Sequence, residues 1–123
     1  MPSPRPRARV IPKRSIASIY MPSSYKKWKA DVVALLRDQL GDPSPVEGRV
    51  AVWCVFAVQR PKTTKRVAPP GDVDNYAKSL LDALTEYGAW KDDIQVTLLT
   101  ADKRWTRDGE DPHVPLRITE DDR

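Results

Sequence analysis

The chain has 123 residues, of which 40% are hydrophobic and 31% charged, an ordinary globular composition that argues against intrinsic disorder. Its longest apolar run, Val50–Val58, is far shorter than the roughly 20 residues of a membrane-spanning helix. Residues 1–70 carry 14 Lys and Arg against 4 Asp and Glu, whereas residues 71–123 carry 7 against 13. The basic half favours a polyanionic partner, and the alternative is a solvated basic surface.

The single cysteine, Cys54, excludes a disulfide framework and a zinc site built from cysteines. No apolar stretch follows the first residues, so we expect neither a secretory signal nor a membrane anchor. A cytoplasmic location is the expectation that fits this cysteine usage.

The first half of the chain predicts a strand, a helix and a second strand. Basic residues alternate over residues 5–11, which predicts a first strand, with a loop around residues 12–14. Apolar side chains recur at spacings of three and four over residues 25–40, which predicts an amphipathic helix of about four turns. The uninterrupted apolar run at 50–58 predicts a central strand covered on both faces.

The second half begins with a basic loop at residues 59–70. A second helix is predicted over residues 74–87, ending at Gly88, which suits the position after a helix C-terminus. A third strand is predicted over residues 94–103 and a last strand over residues 114–119.

The predicted element order is β-α-β-α-β-β. It indicates a mixed α/β (α+β) fold in which two helices pack on a mixed sheet of about four strands. We expect one domain over residues 1–123, with a frayed acidic tail at residues 119–123.

Carboxylates cluster around the second predicted helix: Asp72, Asp74, Asp82, Asp92 and Asp93. One interpretation is structural, because aspartates are common at helix caps and turns, and Lys78 can pair with Asp74 or Asp82. The other is that the carboxylates converge on a cation, since clustered anions repel one another without one. Hard oxygen ligands of this kind suit Mg²⁺ or Mn²⁺ better than zinc.

The same stretch resembles a family signature. It reads Asp72-Val-Asp74-Asn75-x-x-Lys78-x-x-x-Asp82-Ala-Leu84 and then Gly88-x-Trp90-x-Asp92-Asp93-x-Gln95-Val96. This pattern resembles the RusA-type Holliday junction resolvases, endodeoxyribonucleases of phages and prophages. The early Arg5-Pro6-Arg7 and the segment Tyr25-x-x-Trp28-Lys29 are similar to what phage-borne members carry, so the resemblance covers most of the chain.

The resemblance implies a homodimeric, Mg²⁺-dependent endonuclease that resolves four-way DNA junctions by paired symmetric nicks during recombination and repair. Mn²⁺ is the expected substitute metal, and no small-molecule cofactor or membrane partner is implied. The essential carboxylates of the family match Asp72, Asp74 and Asp93, which are the implied catalytic and metal-binding residues. The catalytic lysine matches Lys78, and Asp92 matches a neighbouring acid with a supporting role.

Basic residues outside the signature are expected to contact the phosphate backbones of the junction arms. They are Arg5, Arg7, Arg9, Lys13, Arg14, Arg60, Lys62, Lys65 and Arg66. The family often has a basic residue beside the first aspartate, where this chain has Pro69-Pro70-Gly71. We expect Lys65 or Arg66 to make that contact instead.

The spacing of the aspartates constrains the site. A helix of about 14 residues from Asp74 is roughly 20 Å long, and the five links from Gly88 to Asp93 span at most about 17 Å. Either the loop doubles back nearly straight, or the helix is shorter, or a second subunit supplies Asp93. We hypothesise that the site lies at or near a dimer interface.

Two other functions compete with the resolvase interpretation. One is a non-catalytic nucleic-acid-binding domain that uses the same basic half. The other is a different Mg²⁺-dependent nuclease, acting on flaps or RNA. Trp90, beside the acids, is expected either to brace the metal loop or to wedge into the junction.

Overall fold

The computed structural model describes the backbone of residues 14–20 and residues 28–123 in full. The elements along the chain are β1 (Arg14–Tyr20), α1 (Trp28–Leu40), β2 (Val50–Val58), α2 (Val73–Tyr87), a 3-10 turn (Asp93–Gln95), β3 (Val96–Trp105) and β4 (His113–Glu120). The predicted class is confirmed, because two helices pack on a mixed sheet.

The strands are ordered β1-β4-β2-β3 in the sheet. β4 runs antiparallel to both β1 and β2, while β2 and β3 are parallel, with Val50 beside Val96 and Val58 beside Trp105. α2 is the crossover between the two parallel strands and returns the chain to the other end of the sheet. Among the described strands, β3 is an edge strand, paired on one side alone.

Both helices cover the same face of the sheet. Val52 and Phe56 of β2 are buried beneath them, together with Leu36 of α1 and Leu84 of α2. The alternate residues of β2 point the other way, and Trp53 among them is 37% exposed. The expectation that β2 is covered on both faces is therefore wrong. Its apolar residues form one fully buried face and a second face on which Ala57 is buried but Trp53 is exposed.

The end of α2 follows the sequence pattern. Gly88 lies in the left-handed region with φ of 102°, and its N–H donates to the carbonyl oxygens of Leu84 and Thr85. A side chain at this position would be strained by that φ and would also crowd Pro43, which a built Cβ approaches to 3.1 Å. The predicted helix end at Gly88 is confirmed.

The N-terminal predictions have a mixed outcome. The strand expected at residues 5–11 lies outside the described residues. Arg14, expected in a loop, is the first residue of β1, where it is the pairing partner of Thr119. The loop expectation is therefore wrong at Arg14, which is held in register by β4, and residues 12 and 13 lie outside the described residues.

The C-terminal residues are anchored, so the expectation of a frayed tail is wrong. Thr119 and Glu120 belong to β4, and the Asp121 N–H donates to the carbonyl of Arg49. The Asp121 carboxylate accepts hydrogen bonds from Arg123 Nε at 2.9 Å and from the Thr97 hydroxyl at 2.6 Å. These bonds hold the pKa of Asp121 well below its usual range.

Among the described residues, no helix combines the length and the hydropathy that a bilayer crossing requires.

Candidate active site

The turn before α2 is held by two side chains from other elements. Lys103 Nζ, on β3, donates to the carbonyl oxygens of Pro69 at 2.7 Å and of Gly71. Tyr76 Oη donates to the carbonyl of the intervening proline at 2.7 Å. Three consecutive carbonyl groups are thus bonded directly before Asp72, which fixes the backbone that presents this carboxylate.

Two further features keep this turn in place. Gly71 has φ of 91°, a conformation that glycine adopts without the steric cost of a side chain. The ring of Tyr76 stacks on buried Phe56 with 5.3 Å between the ring centroids, which anchors the hydroxyl that bonds the turn. The position of Asp72 is therefore tied to the core of the protein.

Asp72 and Asp74 are both exposed at the start of α2. Asp72 occupies the N-cap position, but its side chain makes no cap hydrogen bond, and Asp74 lies in the first helical turn. Lys78 follows Asp74 by one turn on the same exposed face. Within the described part of the chain, none of the three has a partner closer than 4.0 Å in an ion pair. The structural interpretation, in which Asp74 caps the helix and Lys78 is paired, is not what the structure shows.

Asp93 lies in a second turn that supports itself. Asp92 Oδ1 accepts from the Ile94 N–H at 3.0 Å, and Gln95 Oε1 accepts from the Asp92 N–H at 3.2 Å, which together form a capping box. Gln95 Nε2 also donates to the Val46 carbonyl at 2.7 Å. For Asp92 the turn interpretation is confirmed, whereas Asp93 stays exposed and its carboxylate has no hydrogen bond from any described residue.

Trp90 lies directly before this second turn and belongs to the hydrophobic core. Its ring is 1% exposed, and its indole Nε1 donates to the Thr85 hydroxyl at 2.7 Å. Because the ring is enclosed by the core, the wedge interpretation is wrong.

The two turns lie at opposite ends of the sheet. The bond from Lys103 to Gly71 places Asp72 beside residue 103 of β3, whereas Asp93 comes three residues before that strand begins. The seven residue steps from Val96 to Lys103 span about 23 Å at the usual rise of a strand. In the described residues, no group of three or more His, Cys, Asp or Glu is arranged to hold a metal ion.

This separation removes two of the three alternatives left by the sequence. α2 is 15 residues long, so the helix is no shorter than expected. The turn at residues 91–95 keeps Asp93 beside the start of β3, so the loop does not double back toward Asp74. The hypothesis that a second subunit supplies Asp93 stays a prediction.

The basic loop lies along the end of β3 that carries Lys103. Trp105 Nε1 donates to the Arg66 carbonyl at 2.9 Å, and the Arg60 N–H donates to the Thr106 hydroxyl at 3.2 Å. The four cationic loop residues predicted to bind DNA are exposed: Arg60, Lys62, Lys65 and Arg66. Arg5, Arg7, Arg9 and Lys13 lie outside the described residues, as does the side chain of Arg14.

Sequence reasoning missed Lys103 at this site. The expected basic residue beside the first aspartate is absent from the local sequence, but the ammonium of Lys103 lies against the Gly71 carbonyl. The one sequence signal was a lysine in an otherwise predicted strand, and no local pattern connects it to a turn 32 residues earlier. That Lys65 or Arg66 contacts phosphate stays a prediction.

The sequence was compared with models of known protein families. The family model described as Endodeoxyribonuclease RusA matches residues 1–119. The chain belongs to the RusA endodeoxyribonuclease family. No curated protein gives a significant match to it. The resemblance found in the sequence is thereby confirmed, and so is the enzyme class, a hydrolase that acts on DNA junctions.

RusA nucleases resolve Holliday junctions, bind branched DNA and generally depend on a divalent metal. The donors at the start of α2 fit such an ion in chemistry, since Asp72 and Asp74 offer exposed carboxylate oxygens without competing hydrogen bonds from described residues. One chain therefore offers two exposed carboxylates at this position, and Mg²⁺ is commonly held by one or two carboxylates together with water and substrate phosphate.

Proposed function

We propose that this RusA-family enzyme is a Mg²⁺-dependent resolvase that cuts four-way DNA junctions as a homodimer, by paired symmetric nicks. The observation that carries the proposal is the arrangement at the start of α2. There, Asp72 and Asp74 are exposed on a turn fixed by Lys103, with Lys78 one turn away on the same face. Mg²⁺ is the proposed metal, with Mn²⁺ as a substitute.

Each residue has a role in the proposed reaction. Asp72 and Asp74 hold the metal, which when bound supplies a water of lowered pKa and polarises a phosphate oxygen. Lys78 places a positive charge beside the negative charge that develops on the phosphate, a contribution on the order of 10²–10³ in rate. Asp92 supports the second turn through its bond to the Ile94 N–H.

Asp93 of the partner subunit completes the proposed site. Three of the exposed large apolar side chains follow Asp93 closely, namely Ile94 at 80%, Leu98 at 39% and Leu99 at 41% exposed. They lie on or beside β3, whose outer edge pairs with no described strand. An unpaired strand edge next to exposed apolar side chains is a surface that a second copy can cover.

Two-fold pairing explains how the separated carboxylates meet. Two copies of β3 that pair antiparallel place the beginning of one strand beside the end of the other. Asp93 of the partner subunit then lies near Lys103, and so near Asp72 and Asp74. The resulting dimer has two equivalent sites, which suits the two equivalent strands that a four-way junction presents for cutting.

The basic residues are proposed to hold the junction arms. The four exposed loop cations lie at the same end of the sheet as Asp72. The N-terminal set proposed from the sequence adds further phosphate contacts: Arg5, Arg7, Arg9, Lys13 and Arg14. Such contacts read the shape of the junction before its base sequence. Because the proposed substrate is DNA of recombination and repair, we propose a cytoplasmic location.

Cleavage of matched substrates tests the proposal. Synthetic four-way junction, plain duplex, flap and RNA substrates are incubated with the protein in Mg²⁺ or in EDTA. We expect symmetric nicks in the junction with Mg²⁺ alone, and we expect Asp74→Asn to bind the junction without cutting it. Nicking of duplex as fast as of junction contradicts the resolvase assignment, and full function in Asp74→Asn indicates a binding domain.

A further inference from the structure

A second basic site lies where the loop after β2 meets the connection between β3 and β4. A cleft of about 390 Å³ opens there. Its lining includes Gln59, Arg60, Lys62, Thr106, Arg107 and Glu110. The sequence pattern singled out the two loop cations but not Arg107.

The walls of this cleft are joined by two hydrogen bonds that backbone N–H groups donate. The Thr106 N–H donates to the Val58 carbonyl at 2.9 Å, and the Arg60 N–H donates to the Thr106 hydroxyl at 3.2 Å. The loop and the β3–β4 connection are therefore held against each other at the end of the sheet. Cations on both sides face one space without a further rearrangement of the backbone.

The β3–β4 connection is also ordered by a bidentate ion pair. Both guanidinium nitrogens of Arg104 donate to Glu110 at 2.7 Å, and the Arg107 N–H donates to the same carboxylate at 2.8 Å. The bonds from Arg104 lower the pKa of Glu110 to about 2, so this carboxylate is ionised and already neutralised by its partner. It does not cancel the charge of the Arg107 side chain.

The remaining charges favour an anion. Arg60, Lys62 and Arg107 are exposed, and none makes an ion pair within 4.0 Å with a described residue. Asp108 is the other acid that lines the cleft, so three available cations face one available carboxylate. A phosphate is an anion that guanidinium groups bind in bidentate fashion.

We propose that this cleft binds the phosphate backbone of a DNA arm, with Arg107 as a direct phosphate ligand. The inference rests on the proposed function and deepens it. Thr106 lies three residues beyond Lys103, a distance of about 10 Å along the chain. The cleft is therefore close enough to the start of α2 to contact a phosphate on the same DNA arm, within a few nucleotides of the cut.

The test measures binding rather than cleavage. Arg107→Gln is introduced into the Asp74→Asn protein, and its affinity for a labelled four-way junction and for duplex is measured without Mg²⁺ at several salt concentrations. We expect about fivefold weaker binding at moderate salt, and a slope of log affinity against log salt that is shallower by about one. Arg37→Gln, on the exposed face of α1, removes the same charge away from the cleft and should leave the slope unchanged.

Two additions make the result decisive. Arg107→Lys keeps the charge and should keep the slope, which separates a phosphate contact from damage to the fold. Methylphosphonates are also placed singly at each phosphate within five nucleotides of the cut. At least one of them should weaken binding to the Asp74→Asn protein but not to its Arg107→Gln derivative. Equal effects of Arg107→Gln and Arg37→Gln on DNA affinity overturn the proposal. It is also overturned if Arg107→Gln binds DNA as tightly as the Asp74→Asn protein and loses only the ability to bind inorganic phosphate. Failure of the resolvase function would instead be seen as absence of junction cleavage by the unsubstituted protein.

Discussion

The two aspartate-bearing turns are stabilised in different ways. The turn before Asp72 depends on Lys103 and Tyr76, which reach it from β3 and from α2. The turn that contains Asp93 is held largely by its own capping box, with Gln95 as the central side chain. One turn therefore depends on a distant cation and the other on a local amide. Two halves of one proposed site can therefore be fixed independently, at opposite ends of a sheet.

Mixing two inactive variants gives the largest expected effect. Asp72→Asn and Asp93→Asn proteins should each be unable to nick a four-way junction, because each lacks one carboxylate at both sites of its dimer. A dimer with one copy of each variant has one intact site if Asp93 acts in the partner's site. After subunit exchange of equal amounts, we expect about one quarter of the unsubstituted nicking activity.

The product of the mixture is also informative. Heterodimers with one intact site should leave single nicks instead of paired cuts, which denaturing and native gels distinguish. A mixture of Asp72→Asn with Asp74→Asn serves as the control, because both changes lie in the same half of the site and no dimer has an intact one. If the first mixture is as inactive as this control despite proven exchange, the shared site is wrong.

Loss of the Lys103 ammonium should lower the rate of junction cleavage more than the affinity for the junction. In Lys103→Met the carbonyl groups of Pro69 and Gly71 lose their bonds, so Asp72 is held less firmly. We expect junction cleavage to fall about 10- to 100-fold, with a higher Mg²⁺ concentration for half-maximal rate and little change in junction affinity. Cleavage rates across a Mg²⁺ titration, with affinity measured in parallel, check this.

A matched control is available on α1. Lys29→Met removes an ammonium that contacts Glu86 at 3.3 Å on the exposed surface, and should leave the Mg²⁺ dependence unchanged. An identical Mg²⁺ titration for Lys103→Met and the unsubstituted protein would show that the bonds to the turn do not position Asp72.

Local patterns predicted one of these turns better than the other. The predicted end of α2 at Gly88 is correct, and the spacing Asp92-x-x-Gln95 is itself a capping-box pattern, because both depend on neighbours in sequence. The role of Lys103 depends on a parallel crossover that brings residue 103 against residue 71. Periodicity along the chain contains no information on that contact.

The errors in the predicted fold have the same origin. A continuous apolar run does not distinguish a strand covered on both faces from one whose second face is open, as in β2. The acidic tail is expected to fray because the last residues of a domain are usually poorly ordered. Asp121 is instead buried, and it is held by hydrogen bonds between its carboxylate and the Thr97 hydroxyl and between its N–H and the Arg49 carbonyl. Both partners lie far from it in sequence.

Loss of the Gln95 side-chain amide should lower the free energy of unfolding. Gln95→Ala removes the hydrogen bonds that Gln95 donates to Val46 and Gly48 and accepts from Lys91 and Asp92. We expect unfolding to require about 1–3 kcal/mol less free energy, measured by urea denaturation, because a half-buried turn loses several partners at once. Gln95→Glu keeps the acceptor atoms, so it should preserve the bonds from the two N–H groups and lose those to the carbonyl groups. A stability of Gln95→Ala equal to that of the unsubstituted protein would contradict a turn that depends on this amide.

The smallest expected effect is on the pH dependence of stability. It arises at the Arg104–Glu110 pair beside the proposed phosphate cleft, away from both aspartate-bearing turns. The pKa of Glu110 is lowered from 4.5 to about 2 by the hydrogen bonds from Arg104 in the folded state. A lowered pKa means that the unfolded chain binds the proton first, so the pair stabilises the fold fully above about pH 4.5 and progressively less below it. Urea midpoints measured from pH 6 down to pH 3 should therefore fall less steeply for Glu110→Gln than for the unsubstituted protein. Because Asp121 titrates with the same sign and remains in both proteins, the difference between the two curves isolates Glu110, and parallel curves would show that the pair contributes nothing to the fold.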